Sequence, residues 1–150
     1  MYGSIPISEA IDAVCSTLYE HLHEVDTFGL TLDDVRTLLE HTLHRNLFSF
    51  NDKFYRQTLG IAMGNPCAPP IAILFLDRFE REALANATMK PVLMVRYIDD
   101  YAGLWTHGEQ LLREFAYLNS LHPTIKFTLE HTAVNQGVPF LDTSHGGGTG

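Results

Sequence analysis

The chain has 150 residues, of which 45% are hydrophobic and 19% charged, and its formal net charge is −8. That length fits one domain, the composition excludes a disordered chain, and no apolar run approaches the roughly 20 residues of a bilayer span. The acidic balance, with Lys and Arg scattered along the sequence, argues against a free-standing nucleic-acid binder, which ordinarily carries a basic patch or stripe.

The first element expected is a helix from Ile7 to about Val25, with Ser8 as its N-cap. Its apolar stripe is Ile7, Ile11, Val14, Leu18, Leu22 and Val25. Gly29 breaks it. Thr31, with Asp34 three residues on, forms a capping-box pattern opening a second amphipathic helix that carries Leu32, Val35, Leu38, Leu39 and Leu43. Leu47 to Phe50 and Lys53 to Gln57, separated by Asn51-Asp52, read as a hairpin.

Gly60 to Pro70 reads as an irregular loop. The helix after it, Ile71 to about Ala87, starts with turns apolar all round, which predicts burial of that end. Val92 to Ile98, the pair Asp99-Asp100, and Tyr101 to Trp105 predict a second hairpin with both acids at its tip. A helix after Gly108 carries Leu111, Leu112, Phe115, Leu118 and Leu121 and stops at His122-Pro123. Ile125 to Glu130 alternates as a strand, and Val138 to Leu141 reads as a short edge segment because of Pro139. The Gly-rich residues 145–150 are expected to be a disordered tail, leaving 1–144 as the folded part.

Helix, hairpin, helix and strand in the second half outline most of a split βαβ sheet with helices on one face, lacking a first strand. The fold class expected is therefore α+β. Cys15 and Cys67 form neither a disulfide framework nor a CxxC pair. They suggest a reducing, intracellular location, nuclear or cytoplasmic, and no leader segment is read at the N-terminus.

Two features carry chemistry. Asp99 and Asp100 are adjacent carboxylates, which repel and cost desolvation. A cation of the Mg²⁺ or Mn²⁺ type relieves that repulsion with hard oxygen ligands. A solvated turn is the alternative, since Asp is a common turn residue. The loop from Gln57 to Pro70 is the second feature: Gly60 and Gly64 permit close backbone approach, and Pro66 and Pro69 stiffen the entry to the helix. Other polar clusters read as structural. His21 and His23, two apart on a helix, are not expected to face each other, and His41 and His44 lack a third ligand. Asp77, Glu80 and Arg81 read as helix-surface charges.

In order, aromatic-x-Gln57-x-x-Gly60-x-x-Met63-Gly64-x-Pro66-x-x-Pro69, a helix, and Arg96-Tyr97-Ile98-Asp99-Asp100 resemble consecutive motifs of reverse transcriptases, most closely those of Penelope-like retroelements. His122-Pro123-Thr124-Ile125-Lys126-Phe127-Thr128-Leu129-Glu130 and Phe140-Leu141-Asp142 match two further motifs of that group. Met63-Gly64-Asn65-Pro66-Cys67-Ala68-Pro69 departs from its Met-Gly-Ser-Pro-x-Ser-Pro pattern at two positions. The resemblance covers nearly the whole chain. It implies part of a polymerase palm, a ferredoxin-like antiparallel sheet, with some fingers-side elements. Tyr2 aligns with an aromatic residue that follows the family's first catalytic Asp. That Asp and its strand are therefore expected upstream of Met1, and the thumb downstream.

The activity so implied is RNA-directed DNA polymerisation: transfer of a dNTP to a primer 3′-OH on an RNA or DNA template-primer, with two divalent ions held by carboxylates. Asp99 would be the principal metal ligand here and Asp100 its weaker partner. Tyr2, Gln57, Gly60, Met63, Gly64 and Pro66 would lie along the nucleotide, and Lys126 would be a candidate general acid; a solvated strand lysine is its plain alternative. With one of three carboxylates expected outside the chain, the 150 residues alone are expected to extend a primer poorly or not at all, and to need the fingers and thumb segments or a partner chain. The runner-up is a catalytically dead relic or protein-interaction module. A metal-dependent hydrolase using the same pair is weaker, for want of a third ligand. No membrane association is expected.

Overall fold

The computed structural model describes residues 1–106, 108–130, 138–141 and 143–145. The chain is α+β and forms two compact units, Met1–Glu82 and Ala83–Gly150. Asp142 and residues 146–150, most of the expected tail, lie outside the described residues.

The first unit opens with a short 3₁₀ turn, Tyr2–Ser4, and then α1, Ile7–Glu20. Pro6, not Ser8, is the N-cap residue, and no side chain caps the end. α1 buries Ile7, Ala10, Ile11, Ala13 and Cys15. It ends five residues before the expected Val25, and Leu22 and Val25 are exposed. Two histidines and Val25 are weak helix formers, and the Asp26 carboxylate accepts the Phe28 N–H at 2.8 Å, drawing the backbone out of the helix.

α2, Leu32–His44, starts at the capping box read from the sequence. Asp34 N–H donates to Thr31 Oγ1 at 3.2 Å, and Thr31 N–H donates to Asp34 Oδ2 at 2.9 Å. α1 and α2 pack together, with an Arg36–Asp12 ion pair at 2.8 Å, and Leu43 is the fully buried residue of α2. The strands β1, Leu47–Phe50, and β2, Lys53–Arg56, form the expected antiparallel hairpin. Asn51 and Asp52 both have positive φ, +48° and +57°. That is the sign pattern of a type I′ turn, which Asn and Asp tolerate and which matches the strand twist.

α3, Ala68–Asn86, begins in the first unit and ends in the second. It starts three residues earlier than expected because Pro69 and Pro70 sit in its first turn, where no intrahelical N–H is needed. Its buried residues, Ala68, Ile71, Ala72, Phe75, Leu76 and Ala83, recur at helical spacing on one face. The expectation of all-round burial fails at Ile73, which is exposed. Ile5, Ile11, Leu43, Ile61 and Leu76 are the largest fully buried side chains. Each contributes roughly 1.5–3 kcal/mol of hydrophobic stabilisation.

The second unit contains β3, Leu93–Tyr97, paired antiparallel with β4, Asp100–Leu104. A 3₁₀ turn at Gly108–Gln110 leads into α4, Leu111–Ser120. The buried Glu114 carboxylate accepts the Met89 N–H at 3.3 Å, and Tyr117 Oη donates to the Ala83 carbonyl at 3.2 Å. These bonds tie α4 to the end of α3 and the segment after it. A last hairpin joins β5, Val138–Phe140, to β6, Thr143–His145.

The expected continuous split βαβ sheet is not assembled among the described residues: the strands form three separate antiparallel pairs. Ile125 to Glu130, expected as a strand, has no ladder partner there. The Asn119 side chain replaces one. Its Oδ1 accepts the Phe127 N–H at 2.8 Å, and its Nδ2 donates to the Phe127 carbonyl at 3.2 Å. One amide thus satisfies both backbone groups that a neighbouring strand would otherwise take.

Candidate functional site

The β3–β4 turn is built by strain. Tyr97 pairs with Asp100, so Ile98 and Asp99 are the two central residues. Ile98 has φ +54°, whereas Asp99 is not among the positive-φ residues. That sign pattern is the one of a type II′ turn, which favours Gly at the first central position. A β-branched residue with positive φ is an outlier, and such strain persists only where its surroundings over-determine it. Arg96 contributes: its Nη1 donates to the Ile98 carbonyl at 3.2 Å, bracing the turn from β3. The result presents Asp99 in the turn and Asp100 at the start of β4, consecutive and both exposed.

Tyr101, next in β4, packs edge-on against Phe127, with ring centroids 5.4 Å apart. Tyr101 thereby packs the hairpin onto the 125–130 segment. Lys126, beside Phe127, has its Nζ donating to the Asn119 carbonyl at 2.7 Å and the His122 carbonyl at 2.9 Å. It satisfies carbonyls at the C-terminal end of α4, a favourable place for a cation.

In the first unit, the 3₁₀ turn and the Gln57–Pro70 loop meet. Ile61 N–H donates to the Tyr2 carbonyl at 2.9 Å, and the buried Gly60, with φ +70°, lies directly against the Gly3 backbone. The close approach anticipated at Gly60 is thus an approach to Gly3. Gly64 has open space around its Cα, and Met63 is 78% exposed. Gln57 Nε2 donates to the Leu59 carbonyl at 2.7 Å, holding the loop's start. Pro66 lies in the turn preceding α3.

Asn65 is the residue of this loop that sequence reasoning passed over. It is buried. Its Nδ2 donates to the Thr42 carbonyl at 3.4 Å, and its Oδ1 accepts the Cys67 N–H at 2.9 Å. It pins the loop to α2 and caps the approach to α3. Asn just before a Pro-containing helix start was the available signal.

The histidine pair departs from expectation. α1 has already ended, so helical spacing does not govern His21 and His23. They stack at 6.5 Å and converge on Glu24 Oε1, at 3.4 Å from His21 Nδ1 and 3.0 Å from His23 Nε2. Arg81 pairs with Asp77 at 2.8 Å as a helix-surface charge. Burial pushes the Cys15 thiol above its ordinary pKa, with Arg36 opposing in part, so its thiolate is disfavoured.

Among the described residues no three His, Cys, Asp or Glu side chains gather as a metal cluster. Asp99 and Asp100 supply oxygen ligands of the right hardness, and Mg²⁺ commonly uses one or two carboxylates completed by water and phosphate oxygens. The donor chemistry therefore fits such an ion, which these two residues would hold. No described helix is long and apolar enough to cross a membrane. The chain matches no family model, no curated protein and no solved structure.

Proposed function

We propose that the chain is part of the palm of a retroelement reverse transcriptase. Asp99 and Asp100 would be two of the carboxylates that serve template-directed nucleotidyl transfer. The supporting observation is the strained Tyr97–Asp100 turn, which sets two consecutive exposed carboxylates at the tip of an antiparallel hairpin. Nothing in a purely structural turn requires Ile at positive φ, since Asn or Gly fills that position at lower cost. A bound divalent ion would supply neutralisation of phosphate charge. Asp99 and Asp100 would hold it, and Tyr2 with the Gln57–Gly64 loop would carry the nucleotide contacts that the resemblance implies.

With two carboxylates in hand, the 150 residues alone bind Mg²⁺ or Mn²⁺ weakly and extend a primer little or not at all. The test is thermal unfolding with increasing Mn²⁺ or Mg²⁺. A bound ion raises stability by mass action, and Asp99→Asn with Asp100→Asn abolishes the rise. A melting temperature indifferent to both ions overturns the metal-site reading, and robust primer extension by these residues alone overturns the expectation of inactivity.

A second reading, a catalytically dead interaction module, draws on the three separate strand pairs among the described residues. Every strand of a two-stranded sheet is an edge strand, and edges are templates for pairing with another chain. Indifference to metal together with self-association or partner capture favours it.

A further inference from the structure

The corner between α1 and α2 leaves its apolar side chains in solvent. Tyr19, Leu22, Val25, Phe28 and Leu30 are all exposed, and Phe28, at 89%, is the most exposed large apolar side chain among the described residues. Phe28 sits in a tight turn: Leu30 N–H donates to the Thr27 carbonyl at 3.0 Å, and Phe28 and Gly29 have φ of +53° and +81°. That is the sign pattern of a type I′ turn, whose first central position favours Asn, Asp or Gly. A bulky residue there is a backbone outlier, and an exposed ring offsets none of that cost by burial. Neither the turn nor the core therefore accounts for Phe at this position.

Charge sets the corner apart as well. Arg36 is the first Lys or Arg of the chain, and Glu20, Glu24, Asp26, Asp33 and Asp34 all precede it at the corner. Arg81 reaches Glu20 at 3.7 Å, and His21 and His23 contact Glu24. Asp26, Asp33 and Asp34 are exposed and make no ion pair among the described residues.

We propose that this corner is a docking surface for a Lys/Arg-rich segment of another protein that also carries apolar side chains. The Phe28 ring inserts among those apolar side chains, and Asp26, Asp33 and Asp34 meet the cations. Apolar side chains concentrated on a surface mark an interaction site, an exposed aromatic is a common anchor, and the charge around it selects the partner. The same carboxylates repel the phosphates of nucleic acid and anionic lipid, and a second copy of the corner would set acid against acid. The proposal stands on the corner alone and requires neither Asp99, Asp100 nor a metal ion.

The test is fluorescence anisotropy of a labelled amphipathic peptide of about 18 residues, with Leu on one helical face and Lys on the other. It is titrated with the whole chain in EDTA, so failure of the metal-site reading cannot affect the result. Two control peptides carry Glu in place of Lys, or Ser in place of Leu. The Leu–Lys peptide should bind with a Kd of about 100 µM or tighter, and each control at least about tenfold more weakly. Phe28→Asn removes the ring yet suits the turn, so it should keep or raise thermal stability while weakening binding by about tenfold, the scale of one buried Phe. Asp26→Asn keeps an acceptor for the Phe28 N–H. Combined with Asp33→Asn, it should weaken binding by about threefold or more and flatten its salt dependence. Phe48→Ala, which removes an exposed ring elsewhere, should leave binding unchanged. The proposal is overturned by no binding at about 100 µM, by either control peptide binding as tightly as the Leu–Lys peptide, by unchanged affinity in Phe28→Asn or in the double Asp variant, or by an equal loss in Phe48→Ala. Self-association of the chain that Phe28→Asn abolishes would assign the corner to a second copy and overturns it as well.

Discussion

Gly60 lies against the backbone of Gly3, and the adjacent Ile61 N–H donates to the Tyr2 carbonyl at 2.9 Å. Residues far apart in sequence thereby form one seam of backbone in the first unit. A Cβ at position 60 meets the Gly3 main chain, which has no flexible side-chain end to give way, and φ is +70° there. Gly60→Ala should therefore cost about 2–3 kcal/mol, from left-handed strain plus overpacking. Gly64→Ala is the matched control: nothing lies within 4 Å of its Cβ position, and the change should stay within about 0.5 kcal/mol. Denaturant unfolding of the two variants checks the difference.

The turn at Ile98 gives a second comparison. Left-handed backbone costs an ordinary L-residue roughly 1–2 kcal/mol, whereas Asn tolerates it. Ile98→Val keeps the β-branch and the strain; Ile98→Asn releases the strain. The Asn variant should be more stable than the Val variant by about 1 kcal/mol. Equal thermal stabilities, or a less stable Asn variant, would show that packing of the Ile98 side chain, not backbone strain, dominates the turn.

Much of the local structure is legible in the sequence where one short-range interaction decides it. Thr31 with Asp34 announces α2 because the capping box is closed within one turn, and Asn51-Asp52 announces the β1–β2 turn because both residues tolerate positive φ. Legibility fails where a side chain overrides the apolar period. The stripe of α1 continues to Val25, but the helix stops at Glu20 and Asp26 turns the chain through Phe28 N–H. Ile125 to Glu130 alternates like a strand, but Asn119 takes both backbone groups of Phe127. Of the candidate site, the Asp99-Asp100 tip follows from two apolar runs and the pair between them. The Tyr2–Gly60 seam and the anchoring by Asn65 are contacts across long sequence separations, which periodicity does not encode.

Asn119 makes that override testable. Asn119→Ala removes the side-chain acceptor of the Phe127 N–H and a side-chain donor to the Phe127 carbonyl. Leaving a part-buried backbone group unsatisfied costs on the order of 1–3 kcal/mol. Asn119→Asp keeps the acceptor and loses the donor, so its cost should be smaller. Amide hydrogen exchange at Phe127 should accelerate strongly in the Ala variant and less in the Asp variant. Protection unchanged in both would mean that another group holds this segment.

The capping box of α2 sets an acid limit on that helix. Hydrogen bonds from the Thr31 hydroxyl and backbone N–H stabilise the Asp34 carboxylate and lower its pKa from the ordinary 3.8. The folded chain therefore holds this proton less tightly than the unfolded chain. The stabilisation is complete above the ordinary value and is lost as pH falls through the lower folded value. Asp34 is exposed, so solvent screening keeps the effect small. Thermal unfolding followed from about pH 6 down to about pH 2 should show a destabilising step on the acid side. Asp34→Asn should flatten that step. Thr31→Ala should lower stability by about 1 kcal/mol at neutral pH through loss of the N-cap acceptor, and should shrink the step as well, because the hydroxyl bond is the larger cause of the lowered pKa. An acid limb of unchanged size in Asp34→Asn would assign it to other carboxylates.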